Sequence, residues 1–211
     1  MTEAEKTRTR ILEAARGQFI QFGFSQTTVD EIASSLGISK ATLYKYFSSK
    51  EQLLREIVFG LLRSIEAGVD AITQDERKDF VEKLGEMLSF IGMKLAGISG
   101  LLTIDIQRNA PEIWREIDEF RRERILSKLK RIIQEGVENG VFRPDFNQDL
   151  LVLMYITLIQ SIMNPATLVQ FSLSFSEGFE IIIRIVLEGI LAEKGRARYL
   201  SPALRPLEKT R

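Results

Sequence analysis

Apolar residues recur at helical spacing along nearly the whole chain. Ile11, Leu12, Ala15, Phe19 and Phe22 form one stripe, which predicts a helix starting near residue 5. Thr28 and Glu31, three apart before Ile32, Ala33 and Leu36, make a capping box and predict a short second helix starting at about 28. Gly37 suits the end of that helix, Ile38 can turn back to the core, and Ser39 is a good cap for a third. In that third helix Leu43 and Phe47 share a face, which leaves Lys40, Thr42, Tyr44, Lys45 and Tyr46 on the remainder. The pattern is a tight helix-turn-helix, with the first helix covering two pieces too small to fold alone.

From about residue 49 the chain reads as helix after helix. Ser48 and Glu51 predict a cap that places Lys50 in a first turn, where the free N–H groups and the ammonium together attract an anion. The helix so begun is expected to reach about 73, with Leu53, Leu54, Ile57, Val58, Leu61, Leu62 and Ile65 on one side. Further helices are predicted over about 80–95, 98–108 and 111–138, the last opened by Pro111 and stopped at Asn139-Gly140. Asp145 and Gln148 suggest a cap for 146–163, and Ser174 with Glu177 one for a last long helix to about 194. Gly195 to Arg211 carries two prolines and no apolar stripe, which predicts a frayed polar tail. The expected fold is all-α, with about nine helices. The expected division is a helix-turn-helix domain over 1–48, a helical domain over 49–195 and a tail over 196–211.

Hydroxyls, ammoniums and phenols on one short helix are the equipment for meeting phosphates and base edges. Charge supports this only modestly. The 211 residues carry no net charge, but residues 1–50 hold seven Lys or Arg against five Asp or Glu. So small an excess predicts weak non-specific DNA binding and a need for dimerisation to double the phosphate contacts. Cysteine and histidine are both absent, which removes disulfides, thiolate metal sites, the thiol nucleophile and the commonest general base. No metal, cofactor or catalytic residue is expected. The start, MTEAEKTRTR, lacks a signal-peptide core, and the longest apolar run, Leu150 to Ile159 interrupted by Thr157, is too short for a bilayer, so a cytoplasmic location with no membrane partner is expected.

The N-terminal block resembles the DNA-binding domain of the TetR (AcrR-like) family of bacterial transcriptional regulators. The resemblance rests on Gly23, Phe24, Thr27, Thr28, Val29, Ile32, Ala33, Gly37, Ile38, Ser39, Leu43, Tyr44, Tyr46, Phe47, Ser49, Lys50 and Glu51 at fixed spacing. It implies that Thr28, Tyr44 and Lys50 grip phosphates, that Lys40, Thr42 and Lys45 face the major groove or its rim, and that Tyr46 sits near the backbone. Ser39, as cap of the reading helix, joins the DNA-binding candidates. Ala41 departs from the pattern, since the family often carries glycine there. The resemblance further implies a homodimer formed through the last two helices and a small, largely apolar effector held in the helical body, whose binding releases a palindromic operator.

Candidates for the effector pocket are Met87, Phe90, Met93, Leu101, Ile104, Asp105, Arg108, Trp114, Phe120 and Tyr155. Taken singly, each apolar member reads first as ordinary core, and Asp105 with Arg108 as a solvated ion pair. Helices 146–163 and 175–194 are apolar on more than one side, which fits either central core helices or a four-helix dimer contact. Candidates for that contact are Tyr155, Ile159, Phe175, Phe179, Ile182, Val186 and Ile190. A repressor is the leading reading and an activator its alternative. An enzyme built on Asp105, Arg108 and Tyr155, and a helical protein-interaction module, are rivals from other classes.

Overall fold

A computed structural model describes residues 2–199, apart from the side chains of residues 125–127, 198 and 199. Eleven helices account for the described elements. They are α1 (Glu3–Phe22), α2 (Val29–Ser35), α3 (Lys40–Tyr46), α4 (Lys50–Thr73), α5 (Phe80–Ala96), α6 (Gly100–Asn109), α7 (Pro111–Glu138), α8 (Gln148–Ile162), α9 (Pro165–Gln170), α10 (Phe175–Ile190) and α11 (Glu193–Tyr199). Capping side chains set most of the starts, as at Thr2, Thr28, Asp79 and Ser174, each in a reciprocal box with a Glu three residues on.

Among the described residues eleven helices stand where about nine were expected, the last long one, α10, ends at Ile190 rather than near 194, and three further boundaries differ from the sequence expectation. The cap of α4 lies one residue later, on Ser49, whose Oγ accepts from Gln52 N–H while the Gln52 side chain reaches back to Ser48. Asn147, not Asp145, caps α8 by accepting from Leu150 N–H, because Asp145 is turned toward Arg143. Asn164, just past the expected end at 163, caps a further short helix, α9, with Pro165 in its first turn. Residues 196–199 of the expected tail belong to α11, and the rest of the tail lies outside the described residues.

The chain forms two compact units. The first takes the residues up to Ser64 together with Ser99–Ile117, so it is larger than the expected 1–48. Its core explains the extension: Ile11, Phe19, Ile32, Leu43 and Phe47 are sealed from solvent in one cluster with Leu53 and Leu54 of α4, Ile106 of α6 and Ile113 and Ile117 of α7. The three N-terminal helices therefore obtain their buried surface partly from segments far along the chain. Arg8 clamps the same packing by pairing with Glu56 and lying 4.9 Å from the centre of the Phe47 ring. Arg55 grips Glu116 through two bonds of 2.9 and 2.8 Å.

The second unit comprises Ile65–Ile98 and the segment beginning at Asp118. Its core brings together Val81 and Leu84 of α5, Phe142 of the segment after α7, Tyr155 of α8, Leu168 of α9, and Phe175 and Ile182 of α10. The backbones of Val141–Arg143 and Ile190–Ala192 are tied by Arg143 N–H to Ile190 C=O and Ala192 N–H to Val141 C=O, both 2.9 Å. No single helix among the described residues is long and apolar enough to cross a membrane.

Candidate nucleic-acid interface

The turn between α2 and α3 is closed by two backbone bonds, Ile38 N–H to Ala33 C=O and Gly37 N–H to Ser34 C=O, each 3.1 Å. This double closure needs a left-handed residue, and Gly37 supplies it with φ +66°. Ile38 follows directly and packs against the core, so the direction of α3 is set by the turn rather than by its own seven residues. Ser39 then caps α3, accepting from Thr42 N–H at 3.0 Å, with its Oγ 2.9 Å from the Thr42 hydroxyl. Leu43 and Phe47 are fully buried, which leaves Lys40, Ala41, Tyr44 and Lys45 exposed and Thr42 and Tyr46 half-buried.

The polar candidates are not equally free. Tyr44 and Lys45 project outward with no described contact that holds them down. Lys40 is paired with Asp30 at 2.8 Å across the turn, and this carboxylate raises its pKa by hydrogen bond and charge. Thr28 is tied to Glu31: its N–H and hydroxyl donate to the carboxylate at 2.7 and 2.8 Å, and those two bonds hold the Glu31 carboxyl below its ordinary pKa. Lys50 turns inward. Its ammonium donates to the carbonyls of Phe24 (2.8 Å) and Thr27 (2.9 Å) and lies 4.3 Å from the centre of the Phe24 ring. Two of its three N–H groups thus fasten the loop before α2, and one is left over.

Sequence reasoning missed the second fastening of this loop. Asp105 of α6 accepts from Ser25 N–H at 2.7 Å and from the Asn109 amide at 2.6 Å. Burial pushes its carboxyl up, but the bonds from Ser25 and Asn109 outweigh this and leave the pKa below the ordinary value. Gly23 sits directly beneath with φ +89°, and a Cβ there would come within 2.8 Å of Asp105 Oδ2. Nothing local marks this contact between residues 80 apart.

The effector-pocket candidates scatter. An apolar cavity of about 60 Å³ lies within the second unit between α5, α7, α8 and α10, and of the ten candidates only Met87 and Tyr155 line it. Leu101 and Met93 are 79% and 61% exposed, so neither lines an enclosed site. Trp114 packs on the core of the first unit, and Asp105 serves the loop contact rather than pairing with Arg108, which is exposed. Phe90 packs on the core of the second unit, while Ile104 and Phe120 are half-buried; none of the three lines this cavity.

The dimer candidates also need correcting. Tyr155, Phe175, Phe179, Ile182 and Ile190 are buried within the protomer, and Ile159 and Val186 pack against that same core. The exposed apolar stripe is on the other side of the same helices, formed by Leu150, Leu153 and Met154 of α8 and Ile181 and Ile185 of α10. Both helices are apolar on two sides, and spacing alone does not say which side faces inward.

A capped helix-turn-helix presenting an exposed Tyr and Lys from its second helix defines a DNA-binding regulator. Residues 11–57 match the family model for bacterial regulatory proteins of the tetR family. The chain is 30% identical over 190 residues to the HTH-type transcriptional regulator YvaF of Bacillus subtilis (strain 168), covering 88% of this chain and 96% of that protein. It is 30% identical over 152 residues to the HTH-type transcriptional repressor KstR2 of Mycobacterium tuberculosis, covering 71% of this chain and 76% of that one. The solved structure of the ketosteroid transcriptional regulator KstR2 superposes with a TM-score of 0.60 at 23% identity, over 92% of this chain and 98% of that chain. The chain belongs to the TetR family of transcriptional regulators.

Proposed function

We propose that this protein is a repressor that binds a palindromic operator as a homodimer and is released by a small-molecule effector. The observation that carries the DNA-binding part is the rigid, doubly closed turn that holds α3 with Tyr44 and Lys45 exposed. In this reading Lys40, Thr42 and Lys45 meet the major groove, with Ser39 at the start of the reading helix. Tyr46, the Tyr44 and Thr28 hydroxyls and the third N–H of Lys50 meet the phosphate backbone. Repression is supported by relatives that are themselves named repressors, such as KstR2. A cytoplasmic location goes with that role.

Dimerisation is supported by the exposed stripe of α8 and α10, five large apolar side chains that a monomer would leave in water. A palindromic operator read on one face of the duplex requires the two α3 helices of such a pair to stand about 34 Å apart, one turn of DNA. Effector binding would act by favouring a protomer shape in which that spacing is lost. The helix α4 runs without a break from Lys50 to Thr73.

Anisotropy titration of promoter DNA against a scrambled duplex tests the reading, with wild type and the pair Tyr44→Phe, Lys45→Ala. Both side chains are exposed, so the pair should keep its melting temperature while losing at least tenfold in selective affinity. Equal weak binding of wild type to every duplex, including a random library, would refute it.

A further inference from the structure

The cavity between α5, α7, α8 and α10 is walled by Leu, Ile, Val and Phe side chains, with Met87 and Tyr155. Tyr155 is the one lining residue with a hydroxyl, and it is only 8% exposed. That hydroxyl makes no hydrogen bond to another described residue, and burial alone raises its pKa. Yet no fully sealed side-chain N or O among the described residues lacks a partner, so the phenol oxygen borders open space rather than packed protein. Buried phenols ordinarily find a partner in the protein or in a water. Here the partner's place is the cavity.

We infer that this cavity takes a neutral, largely apolar molecule bearing one hydrogen-bonding oxygen, a ketone or an alcohol, and that Tyr155 selects it by bonding that oxygen. The assignment rests on the reading that the helical body binds an effector. Charge is excluded by the walls: no Lys, Arg, Asp or Glu lines the cavity, so an ion would be desolvated without compensation. The volume of about 60 Å³ corresponds to roughly two waters of liquid, enough for a few heavy atoms. Larger members of the class would enter by displacing Met87, whose unbranched side chain adapts most easily among the walls.

The test uses the full chain with ¹³C-methyl methionine, Met87 being assigned through Met87→Leu. Three probes are titrated into wild type and Tyr155→Phe: 2-butanone, butyrate and xenon. The inference expects 2-butanone to shift the Met87 methyl saturably in wild type and about tenfold more weakly in Tyr155→Phe, the worth of one hydrogen bond. Xenon should shift it equally in both proteins, which shows that the variant is folded with its cavity intact. Butyrate should leave it unmoved. Equal 2-butanone affinity in the two proteins, saturable butyrate binding, or no response to 2-butanone in wild type would each overturn the inference. Operator affinity is read in the same samples by anisotropy. If 2-butanone binds as expected without changing operator affinity, the cavity's chemistry stands and only the effector reading falls.

Discussion

Lys50 is the residue whose position in the structure changes its expected behaviour most. Replacing it with Met keeps the length of the side chain and removes the ammonium. The structure assigns that ammonium two charged hydrogen bonds, to the Phe24 and Thr27 carbonyls, and a contact with the Phe24 ring. Hydrogen bonds from charged groups contribute about 1.5–3 kcal/mol and an exposed cation–π contact about 0.5–1 kcal/mol. Half-exposure lets water replace part of this, so a net loss of about 1–2 kcal/mol is expected, or about 2–8 °C in Tm for a chain of this size. Thermal unfolding by circular dichroism reads that clamp. The salt dependence of operator binding reads the proposed phosphate contact separately, because each phosphate neutralised contributes about 0.9 to the slope of log K against log salt. Lys50→Met should therefore melt lower and show a slope shallower by about 2 for a dimer. An unchanged Tm would refute the clamp, and an unchanged slope would remove Lys50 from the phosphate contacts.

Ile185→Glu with Leu153→Glu places charges on two residues that are 66% and 60% exposed in the single chain. Sedimentation should show monomers, with Tm above the level expected for a core lesion, whereas Ile182→Glu in the buried stripe should unfold the protein. Tyr155→Phe removes a hydroxyl without a described protein partner, so stability should be unchanged or higher by up to about 1 kcal/mol; a loss beyond that in denaturant unfolding would mean the hydroxyl is bonded after all. Asp105 has a folded pKa below its ordinary value of 3.8, so its contribution is complete above about pH 4 and fades as pH falls below that. Asp105→Asn should flatten the acid side of the Tm–pH profile below about pH 4, and an unaltered profile would count against the Ser25 bond. Gly23→Ala, with φ +89° and a Cβ 2.8 Å from Asp105 Oδ2, should cost more than about 1 kcal/mol by the same melting assay.

How far the molecule was legible depended on the range of the interaction concerned. The helix-turn-helix is specified by contacts within four residues: the Thr28–Glu31 box, the Gly37 turn and the Ser39 cap all stand in the structure where local chemistry puts them. The shift of the α4 cap from Ser48 to Ser49 shows the limit even there, because two adjacent serines with Glu51 and Gln52 offer two boxes of equal local quality. Asp105 was legible only as a charged residue near Arg108, since its partner Ser25 is 80 residues away. The scatter of the pocket candidates has a related reason. Bulk and adaptability mark Met93, Leu101 and Trp114 as apolar, but enclosure depends on which helices meet, and only Met87 and Tyr155 lie where α5 and α8 border the same void.

The last two long helices carry this argument furthest. A helix with one apolar stripe has one inside, and spacing finds it. On α10 the stripe through Phe175, Phe179, Ile182 and Ile190 is accompanied by Ile181 and Ile185, and on α8 Val152 and Tyr155 by Leu150, Leu153 and Met154. Two stripes mean two partners, and the sequence holds no label for which is the protomer's own core. The structure supplies it by burying Phe175 and Phe179 in one core with Leu84 and Leu88 of α5 and Tyr155 of α8. What remains outside is Leu150, Leu153, Met154, Ile181 and Ile185, side chains without a ring, and this is the face on which the proposed dimer rests. An exposed apolar face is thus the one that sequence reasoning assigns last, because it is defined by what the core leaves over.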